Sequence, residues 1–183
     1  AHAGDWEKYN EEAGVTVYRK SIEGTKLVAF KGETTFQQPI RRVLHVLLDN
    51  DHRTEWVGRL YENYVLEQTN EFDYVLYQAF ELPAIFSNRD YVYRGVATED
   101  EESGAVTLSM GSVENDKAPE TIGVRAHLIN SRYVLTPSED GKSTHVIVEI
   151  HTDPKGAMPA WLVNLIQKSW PVDTLNAVSY THL

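Results

Sequence analysis

His145, Glu149 and His151 are the residues whose types and spacing come closest to a metal site. Two imidazoles and a carboxylate at even positions share one face of a strand. Their span argues against a single ion, because six residues of extended chain cover about 20 Å. Val146, Val148 and Ile150 fill the alternate positions, which assigns the polar set to the solvated face. Carboxylates also cluster at Glu11-Glu12, 99–102 and Glu139-Asp140. Turn-forming neighbours flank each cluster, so solvated loops and helix ends are expected, not an acid–base pair. His45 lies among leucines as a core or boundary histidine, and Arg89-Asp90 reads as a local ion pair at a strand start. The sequence has no G-x-S-x-G, H-E-x-x-H, P-loop or G-x-G-x-x-G. A non-enzyme without metal or cofactor is the expectation.

The composition narrows the remaining classes. The chain has 183 residues, with 17 Lys plus Arg against 27 Asp plus Glu, a formal charge of −10. That balance argues against nucleic acid, which needs a concentrated basic surface. The absence of cysteine removes disulfide frameworks, thiolate nucleophiles and Cys-ligated metals, and leaves the compartment open. Four Trp, ten Tyr and five Phe supply a large core. The densest apolar stretches, 43–48 and 160–166, fall short of the ~20 residues that span a bilayer. One soluble, monomeric domain over 1–183 is therefore expected. Its compartment is cytoplasmic or, if Ala1-His2-Ala3 marks a cleaved signal peptide, periplasmic or secreted.

The elements that must position any site follow from periodicity. Residues 5–12 read as a short amphipathic helix stopped by Gly14, and 15–18 and 27–36 as strands. Pro39 opens a helix through Leu48, and a turn carries Arg53 and Trp56. From Tyr61 the period becomes two. Strands are expected at 61–68, 72–81, 89–98, 106–112, 123–135 and 143–152, joined by short turns that favour antiparallel pairing. Pro159 opens a last helix, 160–181. The fold class is α+β, one long curled antiparallel sheet with a helix at each end of the chain.

Two patterns point to a cavity. Leu76, Gln78 and Phe80 share a strand face with Tyr74, and Tyr91 and Tyr93 share one with Gly95 and Ala97. Aromatics with isolated polar groups are what an apolar ligand pocket presents. The last helix carries an apolar stripe of Leu162, Leu165, Ile166, Val172, Leu175 and Val178, yet only Lys168 and Asp173 are charged on it. A surface helix ordinarily shows a charged face. This one suits a cavity mouth, with Pro171 a point of flexure and Trp161 and Trp170 available to a membrane.

Ser87-Asn88-Arg89-Asp90-Tyr91-Val92-Tyr93 resembles the S-x-R-D-[FY]-V signature of START domains, the steroidogenic-acute-regulatory-protein-related lipid transfer family. Gly123-Val124-Arg125 continues the likeness. The run from Lys155-Gly156-Ala157-Met158-Pro159-Ala160 to Trp161-Leu162-Val163-Asn164 resembles the family's G-x-[IL]-P-x-W-L-[IV]-N approach to its C-terminal helix. The resemblance implies a helix-grip fold, a sheet wrapped around the C-terminal helix with a tunnel for one lipid or other hydrophobic small molecule between them. It implies tunnel contacts from Arg53, Leu76, Gln78, Phe80, Tyr91, Tyr93, Val106, Leu108, Met110, Leu162, Leu165, Ile166 and Ser169. It places a gate at Met158, Trp161 and a loop at 113–121, with Asp116, Lys117 and Pro119, and it implies transient membrane contact.

Departures from the family bear on the ligand. Where sterol-binding relatives carry a buried acid and arginine, this chain has Leu76 and Gly95. Arg53 matches the phosphate-contacting arginine of phosphatidylcholine-binding members, to which the motifs are closest. The acidic partner of that arginine becomes Val57, and two choline-caging aromatics become Gln78 and Ile129. The resemblance supports lipid transfer or sensing. The alternative it leaves open is a cyclase- or aromatase-like enzyme using Arg53, Gln78, Tyr91 and Tyr93.

Overall fold

The structure, a computed structural model, describes residues 5–83 and 85–178. Residues 5–12 are not a helix. Glu7–Glu12 form a strand, β1, which pairs antiparallel with β2, Val15–Ser21. The two-residue link explains the difference. Ala13 and Gly14 both have positive φ, 52° and 80°, the geometry of the tight hairpin turn whose twist matches its strands. Gly14 stops no helix; it reverses a strand, and the edge of β2 offers a longer ladder than eight residues of isolated helix would supply.

β3 (Val28–Phe36) follows, then α1 (Ile40–Leu48), which buries Val43, Val46 and Leu47 and leaves His45 exposed on its outer side. A single 3₁₀ turn, Arg53–Glu55, leads to β4 (Leu60–Asn70), β5 (Asp73–Phe80), β6 (Arg89–Glu99) and β7 (Val106–Ser112). The single strand expected over 123–135 is three pieces: β8 (Val124–Arg125), β9 (His127–Leu128) and β10 (Ser131–Pro137). Asn130, at φ 37°, breaks the run, since asparagine tolerates the left-handed region. β11 (Thr144–Ile150) and β12 (Thr152–Asp153) precede α2, Ala160–Ala177. The end of the last helix expected near residue 181 lies outside the described residues.

The strands form an open sheet in the order β1-β2-β3-β11-β10-β7-β6-β5-β4, with β8 added in parallel beside β6 and a separate β9–β12 pair. α2 packs across the inner face, against β2 and β3. Gly32 makes that approach possible: a β-carbon built there would stand 3.0 Å from Cβ of Pro171. The main core gathers Val17, Leu47, Leu76, Leu108, Leu135, Val146 and Leu175 on this face, each fully buried side chain contributing roughly 1.5–3 kcal/mol. A second cluster lies on the outer face, with Leu66, Val75, Tyr77, Ala79 and Val92 under Ala118. β5 is consequently buried on both sides.

Candidate functional site: an internal cavity

Arg53 is the polar pole of the site. The turn after α1 buries it, and its guanidinium donates through Nε to Oδ1 of Asn50 at 2.8 Å, and through Nη2 to the carbonyl of Leu47 and to the Tyr74 hydroxyl at 2.9 Å. Burial alone would lower its pKa, but the phenols of Tyr74, Tyr93 and Tyr133 around it raise it overall. Burial pushes the phenols of Tyr93 and Tyr133 upward too, so both are neutral near pH 7. Gln78 stands close by, its Nε2 donating to Asn63 Oδ1 at 2.9 Å, while Asn63 Nδ2 donates to the Asn50 carbonyl at 2.7 Å. The turn, β4 and β5 are thereby tied together at one end of the cavity.

The cavity has a volume of about 610 Å³ between the sheet and α2. Arg53, Gln78, Phe80, Tyr91, Tyr93, Met110 and Ile166, singled out from sequence, line it, as does Met158. Phe80 and Tyr91 meet edge-on at 5.6 Å, and the Tyr91 hydroxyl bonds Thr152 Oγ1 at 2.8 Å. Leu76, Val106 and Leu108 belong instead to the packed core, because at their ends of β5 and β7 neighbouring side chains close the space. Leu162 is buried away from the cavity wall. Leu165 lies on the exposed side of α2, one turn from Trp161, and Ser169 donates back to the Leu165 carbonyl at 2.8 Å. Phe30, Trp56, Tyr133, Ile150 and Trp170 complete the apolar wall. Sequence reasoning missed Tyr133, although alternation on β10 puts it on one face with Ser131 and Leu135 and could have found it. Trp170 turns inward onto Phe30, with rings 6.2 Å apart, and is not a surface tryptophan.

Arg89 organises the mouth. It does not pair with Asp90, because consecutive strand residues face opposite sides. Arg89 faces the cavity and spends its donors on backbone: Nε to the Pro154 carbonyl at 2.7 Å, Nη2 to that of Lys155 at 3.0 Å, and Nη1 to that of Ser87. It thus joins the β5–β6 loop, 81–88, to the segment that feeds α2. Phe86 of this loop meets Trp161 of the helix at 6.0 Å.

Asp90, fully buried on the outer face, accepts from Arg125 Nε at 2.8 Å, Tyr77 Oη and Thr121 Oγ1 at 2.9 Å, and the Ile122 amide at 3.2 Å. Those bonds fasten the 113–121 loop to the back of the sheet. Ala118 covers the outer cluster, Pro119 accepts from Arg125 Nη2 at 2.7 Å, and Asp116 and Lys117 are exposed. This loop therefore does not border the cavity. The 81–88 loop does, and sequence spacing alone did not distinguish the two. The His145–Glu149–His151 set is divided: His145 bonds Glu33 at 2.7 Å and Glu149 bonds Arg132 at 3.0 Å.

The sequence model of the START domain family matches residues 1–177. An uncharacterized protein of Pseudomonas aeruginosa is 28% identical over 97% of this chain and 87% of its own. The phosphatidylcholine transfer protein of Rattus norvegicus is 28% identical over 90% of this chain and 78% of its own. Among solved structures, the STAR-related lipid transfer protein fragment from Xanthomonas axonopodis superposes with a TM-score of 0.83 at 26% identity, over 95% of this chain and 96% of that one. The helix-grip architecture agrees with these matches, and the chain belongs to the START domain family.

Proposed function

We propose that this chain is a non-enzymatic carrier or sensor that encloses one lipid or other hydrophobic small molecule in the cavity beneath α2. The observation that carries this reading is the cavity itself, about 610 Å³ of mostly apolar space inside a domain of a lipid-transfer family. Its size falls within the ~300–1,000 Å³ of small-molecule sites. Such a cavity acts by shielding. A lipid tail in water costs ~0.8 kcal/mol per CH₂, and an apolar enclosure removes that cost.

The loop 81–88 and the first turns of α2 act as the gate and as the surface that touches membrane. Ile85 is 93% exposed, Trp161 60% and Leu165 47%; Ile85 precedes Phe86, whose ring meets that of Trp161. Exposed apolar side chains on two segments at a cavity mouth are suited to the headgroup level of a bilayer. With a net charge of −10, attraction to anionic lipid is unfavourable, so docking rests on this local patch. Asp153 is the sole carboxylate among the described lining residues, and it is held by Lys155 at 3.0 Å, which disfavours acid–base catalysis. Native mass spectrometry of protein from its source cells tests the reading. One bound lipid per chain is expected. A chain that is always empty and takes up nothing from liposomes overturns it.

A further inference from the structure

The first residues of β6 serve both faces of the sheet. Consecutive side chains on a strand point to opposite sides. Arg89 therefore holds the mouth, while Asp90 beside it holds the loop between β7 and β8, 113–123, on the back. Both side chains are buried, and their charges make these bonds stronger than neutral ones.

Backbone contacts join the two latches directly. β8 pairs in parallel with β6, setting Val124 beside Arg89 and Arg125 beside Asp90. The Val124 amide donates to the Asn88 carbonyl at 3.0 Å, and the Ala126 amide to that of Asp90 at 2.9 Å. Gly123 lies against Asn88 so closely that a β-carbon built on it would overlap the Asn88 carbonyl oxygen and stand 3.1 Å from the Asn88 nitrogen. Asn88 also closes the 81–88 loop, its Oδ1 accepting from the Leu82 amide at 3.1 Å. On the cavity side, a β-carbon on Gly156 would stand 3.3 Å from Arg89 Nη2 and 3.6 Å from Val124 Cγ2. The end of the back loop is thus packed between the base of the 81–88 loop and the segment that feeds α2. Packed contacts of this kind switch between arrangements and do not deform gradually. Widening the mouth shifts Asn88 or the 154–156 segment. Either movement displaces Gly123 and Val124 and pulls Thr121 and the Ile122 amide off Asp90.

Resting on the gate reading above, we propose that the Asp90 latch on the back of the sheet controls opening of the mouth on the front. While Asp90 is fully bonded, Asn88 is held and the 81–88 loop stays closed. When the back loop detaches, the mouth opens more often. Coupling between two sites is reciprocal, so loosening the mouth also loosens the back loop. Thr121 and Gly123 are then positioning residues for ligand exchange, although neither borders the cavity.

Amide hydrogen exchange of the ligand-free full chain, read by mass spectrometry, tests the coupling. Thr121→Val keeps the side-chain shape at an exposed position and removes the bond of 2.9 Å to Asp90. It should speed exchange in 81–88 about fivefold or more, the lower end of ordinary coupling between sites, with β10 and β11 unchanged. Arg89→Lys should speed exchange in 117–123 likewise. If either variant accelerates only its own side of the sheet, or the whole chain uniformly, the coupling is overturned. Phosphatidylcholine vesicles added to the wild type separate the coupling from the gate reading. They should alter exchange in 81–88 and speed it in 117–123. A change in 81–88 alone overturns the coupling and leaves the gate standing. No change in either segment, with both variants behaving as expected, overturns the gate and leaves the coupling. Acceleration of 117–123 alone overturns both.

Discussion

Tyr74 lies across the bare backbone of Gly95: a β-carbon built on that glycine would stand 2.7 Å from the tyrosine ring. The two are cross-strand partners on β5 and β6. With no side chain beneath it, the ring settles on the sheet and turns its hydroxyl to Arg53, 2.9 Å away.

Gly95→Ala must therefore displace the Tyr74 ring and loosen Arg53. Overpacking of this kind costs about 1–3 kcal/mol, and the same change at Gly111 on β7, where nothing lies within 4 Å, should cost well under half of that. Urea unfolding of the two variants measures the difference. Equal losses would mean that the Tyr74 contact is not what constrains residue 95.

Asp90 supplies a pH dependence. Burial alone would raise its pKa, but bonds from Arg125, Tyr77, Thr121 and the Ile122 amide hold it below the usual carboxylate range. A depressed folded-state pKa contributes stability that is complete above the unfolded value and is lost as pH falls through the folded one. Asp90→Asn is expected to cost about 3 kcal/mol at pH 7, in the range for breaking a buried pair. The gap to wild type should narrow as pH drops below about 4, read from thermal melts across a pH series.

Arg89 makes a prediction about the gate. Its three backbone bonds span Ser87, Pro154 and Lys155, a geometry that a lysine ammonium cannot reproduce. Arg89→Lys should speed amide hydrogen exchange in 81–88 and 154–160 several-fold while leaving β10 and β11 unchanged. Uniform acceleration throughout the chain would count against a local latch.

Ile85→Asp and Trp161→Asp address membrane contact. Both side chains are largely exposed, so each change should alter stability by no more than ~0.5 kcal/mol. Sedimentation with liposomes is expected to fall at least threefold for either. Parallel loss of thermal stability would show instead that these residues hold the domain together.

Part of the cavity wall was legible because strand periodicity and side-chain chemistry are local. The alternation of Tyr74, Leu76, Gln78 and Phe80 identified the inward face of β5, and the pairing of β5 with β6 brings Gln78 opposite Tyr91. Which inward residues meet empty space and which meet neighbours is not local. Leu76 and Leu108 are packed, whereas Gln78 and Met110, two residues further along, line the cavity. Residues 5–12 misled for a related reason: their helical spacing is real, but the waiting edge of β2 and a turn with two positive φ angles decided for a strand.

The amino-acid sequence by itself determined the fold family, the absence of thiol chemistry, the acidic surface and the sparsely charged last helix. These follow from residue types and short spacings. Tertiary structure decided the rest. It put the 113–121 loop on the back of the sheet through Asp90 and gave the mouth to 81–88. It turned Trp170 inward and Trp161 outward on one helix. It also gathered basic residues from distant segments onto one cavity wall in an acidic chain. Charge and enclosed volume at a site are sums over residues far apart along the chain, and only packing brings those residues to one place.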